Sequence, residues 1–486
     1  MTIATTIASH LRLEISERKL LLHLGDGMLI AGGVLGAVAL WSQIAERSLD
    51  TALIREQFAW IVSISIGWYV LLAVLDMYDL RSAVNVRRCL QRLVLSALII
   101  GVIYIAYFFV AVFPLGGPLQ GILDPIPGVT PLRFAPATSI LLVAVLLALW
   151  RVAYAKLLGD KSARRRVLIL GAGAAGRAFA EVLRAYPHFE MIGFVDDDPK
   201  KAGLKIQGGA VLGPHTKMLD LIELHKVDEI IIAISAPMTG RLFQTIMDCH
   251  ERGITITPMP LLYEQLTGKV AVEHIGSQWY VALPFDNKGF ETLSRLLKRS
   301  LDLVIGGLLL IVFLITLPLI ALFIRLDSRG SIFYTQQRMG QYGKVFRVVK
   351  YRSMFHDAEC DGKPKWATQN DPRVTRVGRI LRKTRLDELP QVMNVLRGEM
   401  SVVGPRPERP EFIEQLQKQI PFYRTRLAAK PGLTGWAQVN YGYGSTVEDA
   451  LVKLQYDLYY LKHQSVWFDL QIMMRTIAVV LKMKGQ

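Results

Sequence analysis

Long uncharged runs separated by short basic stretches dominate the first third of the chain. Residues 20–41, 58–75, 93–113 and 135–150 each approach the roughly 20 apolar residues that a bilayer-spanning helix needs. The pattern therefore predicts a membrane α-helical bundle of four spans over residues 1–160. Because the first run is long and more runs follow it, we interpret it as a retained membrane anchor and not as a cleaved signal peptide.

The charges between these runs indicate their orientation, because the cytoplasmic loops of membrane proteins collect Lys and Arg. Basic residues precede the first run, lie between the second and the third, and follow the fourth, namely Arg12, Arg18, Lys19, Arg81, Arg87, Arg88, Arg92, Lys156, Lys161, Arg164, Arg165 and Arg166. The Pro/Gly-rich loop 114–136 holds one Arg and one Asp and is expected outside. Both ends of the bundle are thus predicted to face the cytoplasm.

Asp26 interrupts the first apolar run. An acid inside a membrane helix suggests a functional site. Asp26 lies near the predicted cytoplasmic end of its helix, so we favour a carboxylate that is solvated or paired with His23.

A fifth apolar run, residues 303–324, has no charged residue and would reach about 33 Å as a helix, enough to cross a bilayer. Basic residues flank it on both sides, so both ends are predicted to be cytoplasmic. Pro318 lacks an N–H and clashes with the preceding turn, which predicts a kink or break. A re-entrant helix hairpin over residues 295–326 satisfies both observations. The alternative is a plain fifth span, which would place the rest of the chain outside the cell.

Strand and helix patterns alternate over residues 163–285 and predict a Rossmann-like α/β domain. The strand 167–170 runs into a glycine turn and a helix, a second strand ends in an acid, and 230–235 reads as another buried strand. Small residues let the backbone approach a pyrophosphate at a helix N-terminus, and the acid can hold ribose hydroxyls. The candidate cofactor contacts are Gly171, Gly173, Gly176 and Asp196. The same glycines also serve helix packing, so NAD or another nucleotide stays open, and the chain lacks a YxxxK hydride-transfer motif.

Composition narrows the class of protein. At 486 residues the chain is expected to form two or three domains, and a hydrophobic fraction of 51% with a mean hydropathy of +0.31 places part of it in lipid. The formal charge of +16 suits an anionic membrane surface or a phosphorylated substrate, and the apolar runs favour these over nucleic acid. Cys89, Cys249 and Cys360 are too few and too scattered for a disulfide framework or a zinc site, which agrees with a reducing cytoplasm.

Adjacent carboxylates, Asp387 and Glu388, lie between basic clusters in the last third of the chain. A helix is expected to start near Thr384 or Asp387 and to stop at Gly398, because Pro390 is tolerated in a first turn and glycine suits a C-cap. Asp387 is then either an N-cap or a reactive carboxylate. Two neighbouring carboxylates repel each other unless they share a cation, and Mg²⁺ bound with a diphosphate would fill that role.

Several ordered motifs carry a family resemblance: FRVVKYRSM, NDPRVTRVGRILRKTRLDELPQVMNVLRGEMSVVGPRPE, KPGLTGWAQVN and LQYDLYYLKHQSVWFDLQI. Over roughly residues 295–486 they resemble the bacterial sugar transferase family, the monotopic polyprenyl-phosphate phosphoglycosyl transferases. The whole layout is similar to the larger members, which are undecaprenyl-phosphate glucose or galactose phosphotransferases of exopolysaccharide, capsule and O-antigen synthesis. The resemblance implies a mainly α, membrane-associated catalytic domain over residues 327–486, at the bacterial inner membrane, with the soluble domains cytoplasmic.

The resemblance also implies a reaction. Asp387 would attack the β-phosphorus of a UDP-sugar, expel UMP and pass the sugar phosphate to undecaprenyl phosphate. Glu388 would bind Mg²⁺, and Pro318 would bend the membrane hairpin. The expected phosphate contacts are Lys350, Arg352, Arg379 and Arg406, with Gln438 as a weaker candidate beside the uridine or sugar.

Three alternatives stay open. UDP-glucose is favoured as the donor, with UDP-galactose next and N-acetylated sugars behind. The second alternative, from a different class of enzyme, is a membrane-tethered, NAD-dependent sugar nucleotide dehydratase or epimerase. GAGAAG and GFVDDDP in the middle domain resemble the nucleotide-binding unit of such enzymes. A scaffold with an inactive transferase core is the third. The expected partners are the UDP-sugar, undecaprenyl phosphate and membrane lipids, with a homodimer left open and no nucleic acid.

Overall fold

The computed structural model describes residues 15–44, 48, 50–75, 77, 78, 80–112, 135–158, 164–234, 238–272, 291–355, 371–442, 444 and 446–481. Five of its helices are long and apolar enough to cross a membrane. The chain separates into two compact units, whose division falls near residue 257 apart from two short segments.

The first unit begins with the predicted helical bundle. Its helices are α1 (Ile15–Ile44), α2 (Thr51–Val74), the short α3 (Leu80–Ala83), α4 (Val86–Val112) and α5 (Ala135–Leu158). Trp68, Leu72, Val143 and Leu147 are fully buried in the bundle core, whereas Leu98 and Leu141 on the outer faces are exposed as in a lipid-facing helix. The four predicted spans are confirmed as helices. The predicted outer loop lies, up to residue 134, outside the described residues.

A fully buried ion pair joins α1 to α5. Asp26 and Arg151 are both 0% exposed, and Arg151 donates to the Asp26 carboxylate and, at 2.7 Å, to the carbonyl oxygen of Met77. His23 instead contacts the Tyr69 hydroxyl at 2.7 Å. The expectation of a solvated or His23-paired Asp26 was wrong, because a carboxylate removed from water needs a charged partner and α5 supplies one.

The predicted α/β domain follows in the same unit and is confirmed. Its strands are β1 (Arg165–Leu170), β2 (Phe189–Val195), β3 (Lys205–Ile206), β4 (Gly209–Gly213), β5 (Glu229–Ile232) and β6 (Thr255–Pro258), in the sheet order β3-β4-β2-β1-β5-β6. Its helices are α6 (Ala174–Arg184), α7 (Met218–His225) and α8 (Gly240–Glu251). Strands β1, β2 and β4 run parallel, which explains the continuous apolar sequence of β1: a parallel strand is covered on both faces.

The segment after β6 belongs to the second unit. Helix α9 (Met259–Thr267) and the residues to 272 contact the C-terminal domain, where Trp436 donates to the carbonyl oxygen of Gly268 at 2.8 Å. Val270 is buried with Leu454 and Leu458. The predicted domain end at residue 285 is therefore too late, because the sheet finishes at Pro258. Residues 273–290 lie outside the described part.

The fifth apolar run forms one helix, α10 (Glu291–Asp327), which continues through Pro318. The break predicted at this proline is not seen. Near the start of α10, Lys298 binds Asp469 at 2.6 Å and Asp302 accepts hydrogen bonds from Ser401 and Val402. At its end, Asp327 accepts the backbone N–H of Val377 at 2.9 Å. Both ends of α10 are thus fixed to the same domain.

The rest of that domain is mainly helical around short strand pairs. Strands β7 (Phe333–Met339) and β8 (Val345–Tyr351) form an antiparallel hairpin, and β9 (Ser401–Val403) pairs in parallel with β10 (Gly432–Thr434). The helices are α11 (Arg376–Thr384), α12 (Val392–Arg397), α13 (Pro410–Gln419), α14 (Trp436–Asn440), α15 (Val447–Lys462) and α16 (Val466–Leu481). A core that includes Val395, Met400, Trp436 and Ile472 holds these elements together.

Candidate active site

The adjacent carboxylates lie on a short 3₁₀ segment, Leu386–Gln391, between α11 and α12. Arg385 ends α11 in the left-handed conformation (φ 59°, ψ 14°), an unusual geometry for a side chain other than glycine or asparagine. Pro390 has no N–H for an α-helical bond, so the regular helix starts only at Val392. It ends, as predicted, at Gly398, whose φ is 85°. Asp387 is not the predicted N-cap, because Arg385 occupies the cap position.

The 3₁₀ period sorts these six residues onto three faces, because side chains three apart eclipse each other. Leu386 and Leu389 pack with α10 residues such as Phe313 and Ile320. Glu388 and Gln391 share another face and line one cavity. Asp387 shares the third face with Pro390. The apolar pair therefore fixes the segment against α10 and holds the polar side chains in a set direction.

Glu388 is enclosed by cations. Its carboxylate accepts from Lys350 at 2.8 Å and from Arg406 at 2.6 and 3.3 Å, and Arg385 lies 3.8 Å away. Lys350 comes from β8 and Arg406 from the loop after β9. The fold thus brings basic residues from three separate parts of the sequence to one carboxylate.

The two carboxylates titrate in opposite directions. Burial, reinforced by the charge of Glu388, raises the pKa of Asp387 to about 6. Burial also opposes the ionisation of Glu388, but Arg406 and Lys350 outweigh it and hold its pKa well below the usual value. Glu388 is therefore a fixed negative charge, while Asp387 can change its protonation near neutral pH.

A close crossing of two backbone segments positions Arg406. A Cβ on Gly404 would lie 2.2 Å from the carbonyl oxygen of Lys430, and one on Gly432 would lie 2.1 Å from the amide of Gly404, so both positions require glycine. Arg426 donates to the carbonyl oxygen of Arg406 at 3.0 Å and is itself held by buried Asp457 at 2.8 Å. The Arg406 backbone is thus fixed from both sides.

The other predicted phosphate contacts are placed differently. Arg352 donates to the carbonyl oxygens of Ser328 and Arg329 at 2.7 and 2.9 Å, so it caps the C-terminal end of α10. Arg379 is exposed on α11. Gln438 donates to Leu433 at 3.2 Å, while its buried Oε1 has no hydrogen-bond partner in the described part of the chain. A role in phosphate binding stays a prediction for these three residues and for Lys350 and Arg406.

Two polar cavity residues, Arg338 and Gln391, were not among the predicted site residues. The cavity beside Glu388 is lined by Arg338, Val348, Lys350, Glu388, Gln391, Arg406, Pro407 and Gly432. Arg338 lies in the QQRMG motif, before β8 in the sequence. Gln391 lies three residues after Glu388, and only the three-residue period of a 3₁₀ segment indicates that the two side chains share a face. Asp387, 9% exposed, borders this group without lining the cavity.

The predicted nucleotide contacts lie around the end of β1. Gly171 has a φ of 108°, which favours glycine, and a Cβ on Gly173 would meet nothing within 4 Å. Gly176 lies in the first turn of α6. Asp196, after β2, accepts the Ala172 amide at 2.7 Å and the Lys201 ammonium at 3.0 Å. Nucleotide binding here stays a prediction.

A magnesium ion at the carboxylate pair stays a prediction, and these residues would have to share the ion with a phosphate ligand. Among the described residues, no group of three or more His, Cys, Asp or Glu could hold a metal by itself. Mg²⁺ is commonly bound by one or two carboxylates together with substrate phosphates and water. The Glu388 Oε2 has only the longer cation contacts, 3.3 and 3.8 Å, and so retains coordinating capacity beside Asp387.

Two family models match the chain. Residues 293–483 match the bacterial sugar transferase model, which covers the catalytic-site elements from α10 to α16. Residues 133–260 match a model described as a CoA-binding domain, which covers α5 and the six-stranded sheet.

Individual relatives agree with the first match. The UDP-N-acetylgalactosamine-undecaprenyl-phosphate N-acetylgalactosaminephosphotransferase of Aeromonas hydrophila is 36% identical over 50% of this chain and 56% of its own length. The UDP-glucose:undecaprenyl-phosphate glucose-1-phosphate transferase of Escherichia coli is 36% identical over 65% of the chain and 67% of its own. The UDP-galactose-lipid carrier transferase of Erwinia amylovora is 30% identical over 66% and 69%. The chain therefore spans between half and somewhat over two thirds of these relatives.

The raised pKa of Asp387 predicts a stability gain for the Asp387→Asn variant. The folded protein binds this proton more tightly than the unfolded chain, so the carboxyl costs stability progressively as the pH rises from about 4 to about 6. A displacement from 3.8 to about 6 corresponds to roughly 3 kcal/mol. We expect thermal unfolding of purified protein to show a higher midpoint for Asp387→Asn than for wild type at pH 8, and nearly equal midpoints at about pH 4.

Asp449→Asn is the matched control of opposite sign. Hydrogen bonds from Thr446 and Tyr441 lower the pKa of Asp449 to about 2, so this variant should be less stable than wild type at pH 8. Equal midpoints for Asp387→Asn and wild type at every pH would show that Asp387 carries an ordinary carboxyl.

Proposed function

Since the chain belongs to the bacterial sugar transferase family, we propose that it transfers a hexose 1-phosphate from a UDP-sugar to undecaprenyl phosphate and releases UMP. The observation that carries this proposal is that the buried Asp387 directly precedes Glu388, whose carboxylate forms ion pairs with Lys350 and Arg406. The reaction would be the first membrane step in the synthesis of an exopolysaccharide, capsule or O-antigen.

The reaction proceeds in two displacements at phosphorus. A carboxylate oxygen of Asp387 bonds to the β-phosphorus of the UDP-sugar, while the bond to the bridging oxygen breaks and UMP leaves with that electron pair. The sugar phosphate is then held as an acyl phosphate on Asp387. A phosphate oxygen of the lipid next attacks the same phosphorus, which forms the lipid diphosphate sugar and restores the carboxylate.

The charges of the site suit these two displacement steps. A pKa of about 6 leaves Asp387 mostly ionised at neutral pH, yet its carboxylate is buried and poorly solvated, which favours attack. Lys350 and Arg406 are already fixed by Glu388, so they need little rearrangement to stabilise charge that develops on the phosphoryl oxygens. Glu388, with Asp387, would hold the Mg²⁺, whose charge would offset that of the diphosphate.

Glucose is the favoured sugar, because the matched relatives include several named for UDP-glucose. Galactose is the alternative, as in the Erwinia amylovora relative. The two sugars differ only in the orientation of one hydroxyl group.

We further propose that both ends of α10 lie on the same side of the membrane, with only one flank of this continuous helix immersed in lipid. Contacts with the catalytic domain run along the helix, from Lys298 and Asp302 through Phe313 and Ile320 to Asp327. If α10 crossed the bilayer, this charged domain would have to follow it into lipid. The opposite face of the helix exposes Leu308, Val312, Ile315, Leu319 and Leu322, which suits immersion in acyl chains.

This geometry supports the remaining expectations about location and partners. A same-face helix would keep the catalytic domain on the cytoplasmic side of the bacterial inner membrane, where UDP-sugars are made. It would hold the site at the headgroup plane, where a polyprenyl phosphate presents its charge without leaving the lipid. A homodimer stays a prediction.

Product analysis tests the reaction. Purified protein with undecaprenyl phosphate, Mg²⁺ and a panel of UDP-sugars should release UMP, with UDP-glucose the best donor. Asp387→Asn should lower the rate by on the order of a thousandfold or more, because the nucleophile is lost. Glu411→Gln, an exposed position on α13, is the control and should keep the wild-type rate. Release of UDP in place of UMP would mean that the sugar moves alone, and would overturn the proposal.

Cysteine labelling tests the membrane topology. In a chain with Cys89, Cys249 and Cys360 replaced by Ser, a single cysteine at Arg295 lies in the second turn of α10, one at Ser331 lies just after its end, and one at Lys200 marks the α/β domain. We expect a membrane-impermeant maleimide to label all three in inverted vesicles and none in right-side-out vesicles. Labelling of Arg295→Cys and Ser331→Cys from opposite sides would establish a plain fifth span.

A further inference from the structure

Gln391 is an unpartnered polar side chain at the catalytic cavity. It is 4% exposed, and no hydrogen bond of its amide is found among the described residues. A polar side chain that is more than nine-tenths buried and has no protein partner needs a ligand or water to satisfy it. The same cavity is lined by Arg338, Lys350, Arg406 and Glu388.

The backbone aims Gln391 at this cavity. Gln391 follows Glu388 by three residues in the 3₁₀ segment, so the two side chains leave the backbone in the same direction. Leu386 and Leu389 anchor the segment against α10, and Val392 is fully buried directly after it. The position of Gln391 is therefore set by the same packing that sets Glu388.

The charges that line the cavity determine which kind of ligand the Gln391 amide can contact. Glu388 already accepts from Lys350 and Arg406, and Arg338 lies 3.5 Å from Glu408. The cationic groups exceed the carboxylates among the lining residues, so the cavity suits an anion. Gln391 adds two N–H donors that carry no charge and can be aimed at one oxygen atom.

We infer that Gln391 is a substrate-binding residue whose amide donates a hydrogen bond to a phosphoryl oxygen of the bound substrate. This inference rests on the proposed function, since it takes the ligand to be one of the two phosphate substrates. The oxygen belongs either to the diphosphate of the UDP-sugar or to the phosphate of the lipid. Both present the same chemistry to the cavity.

The test compares Gln391→Leu with wild type in binding, turnover and stability. Leucine removes the amide at nearly the same volume, and because Gln391 bonds to no described residue, no protein group loses a partner. We expect the thermal unfolding midpoint to stay equal or to rise, while UDP binding by the full-length protein weakens by about tenfold. Gln391→Glu should weaken UDP binding further, since a negative charge then faces the phosphate.

The KM values for the two substrates show which of them supplies the phosphoryl oxygen that Gln391 contacts. A raised KM for the UDP-sugar places the contact on the nucleotide, and a raised KM for the polyprenyl phosphate alone places it on the lipid. Gln417→Leu, an exposed position on α13, is the control and should change neither.

Two results would overturn the inference. One is unchanged UDP binding together with unchanged KM values in both Gln391 variants. The other is a lowered unfolding midpoint in both variants with UDP affinity retained, which would make Gln391 a structural residue. UDP binding is measured without turnover, so this inference can fail while wild-type protein still releases UMP, and the proposed function would then stand.

Discussion

The buried ion cluster around Glu388 is the interaction on which the site depends. Lys350 and Arg406 come from distant parts of the sequence and repel each other, so a permanently ionised carboxylate must lie between them. Burial raises the pKa of Asp387, and that same carboxylate, next to Asp387 in the chain, adds to the rise. One residue thus holds together the cations that are proposed to bind phosphate and also affects the pKa of its neighbour, so the two adjacent acids differ in charge and in surroundings.

The rest of the catalytic domain serves to hold this cluster in place. Helix α10 supplies the apolar surface against which Leu386 and Leu389 fix the 3₁₀ segment. The glycine crossing at Gly404 and Gly432 sets the path of the loop that carries Arg406. In the proposed topology, the membrane helix is therefore also a structural wall of the active site, so immersion in lipid and alignment of the catalytic groups are parts of one arrangement.

Local signals in the sequence predicted local structure well and long-range pairing poorly. The apolar runs predicted the four bundle helices, and the glycine at 398 predicted a helix end. The partner of Asp26 lies 125 residues away on α5, and nothing in the local pattern specifies it. Arg352 was predicted from its motif, but its hydrogen bonds go to the end of α10, which only the tertiary structure reveals.

Mass spectrometry of the trapped intermediate tests the central claim most directly. Full-length protein mixed with UDP-glucose and Mg²⁺ in the absence of a lipid acceptor, then quenched and digested, should yield the peptide that contains Asp387 with the added mass of a hexosyl phosphate, in step with UMP release. The adduct should disappear when undecaprenyl phosphate is added before quenching. An adduct on another residue, or UMP release with no protein adduct at all, would contradict the account.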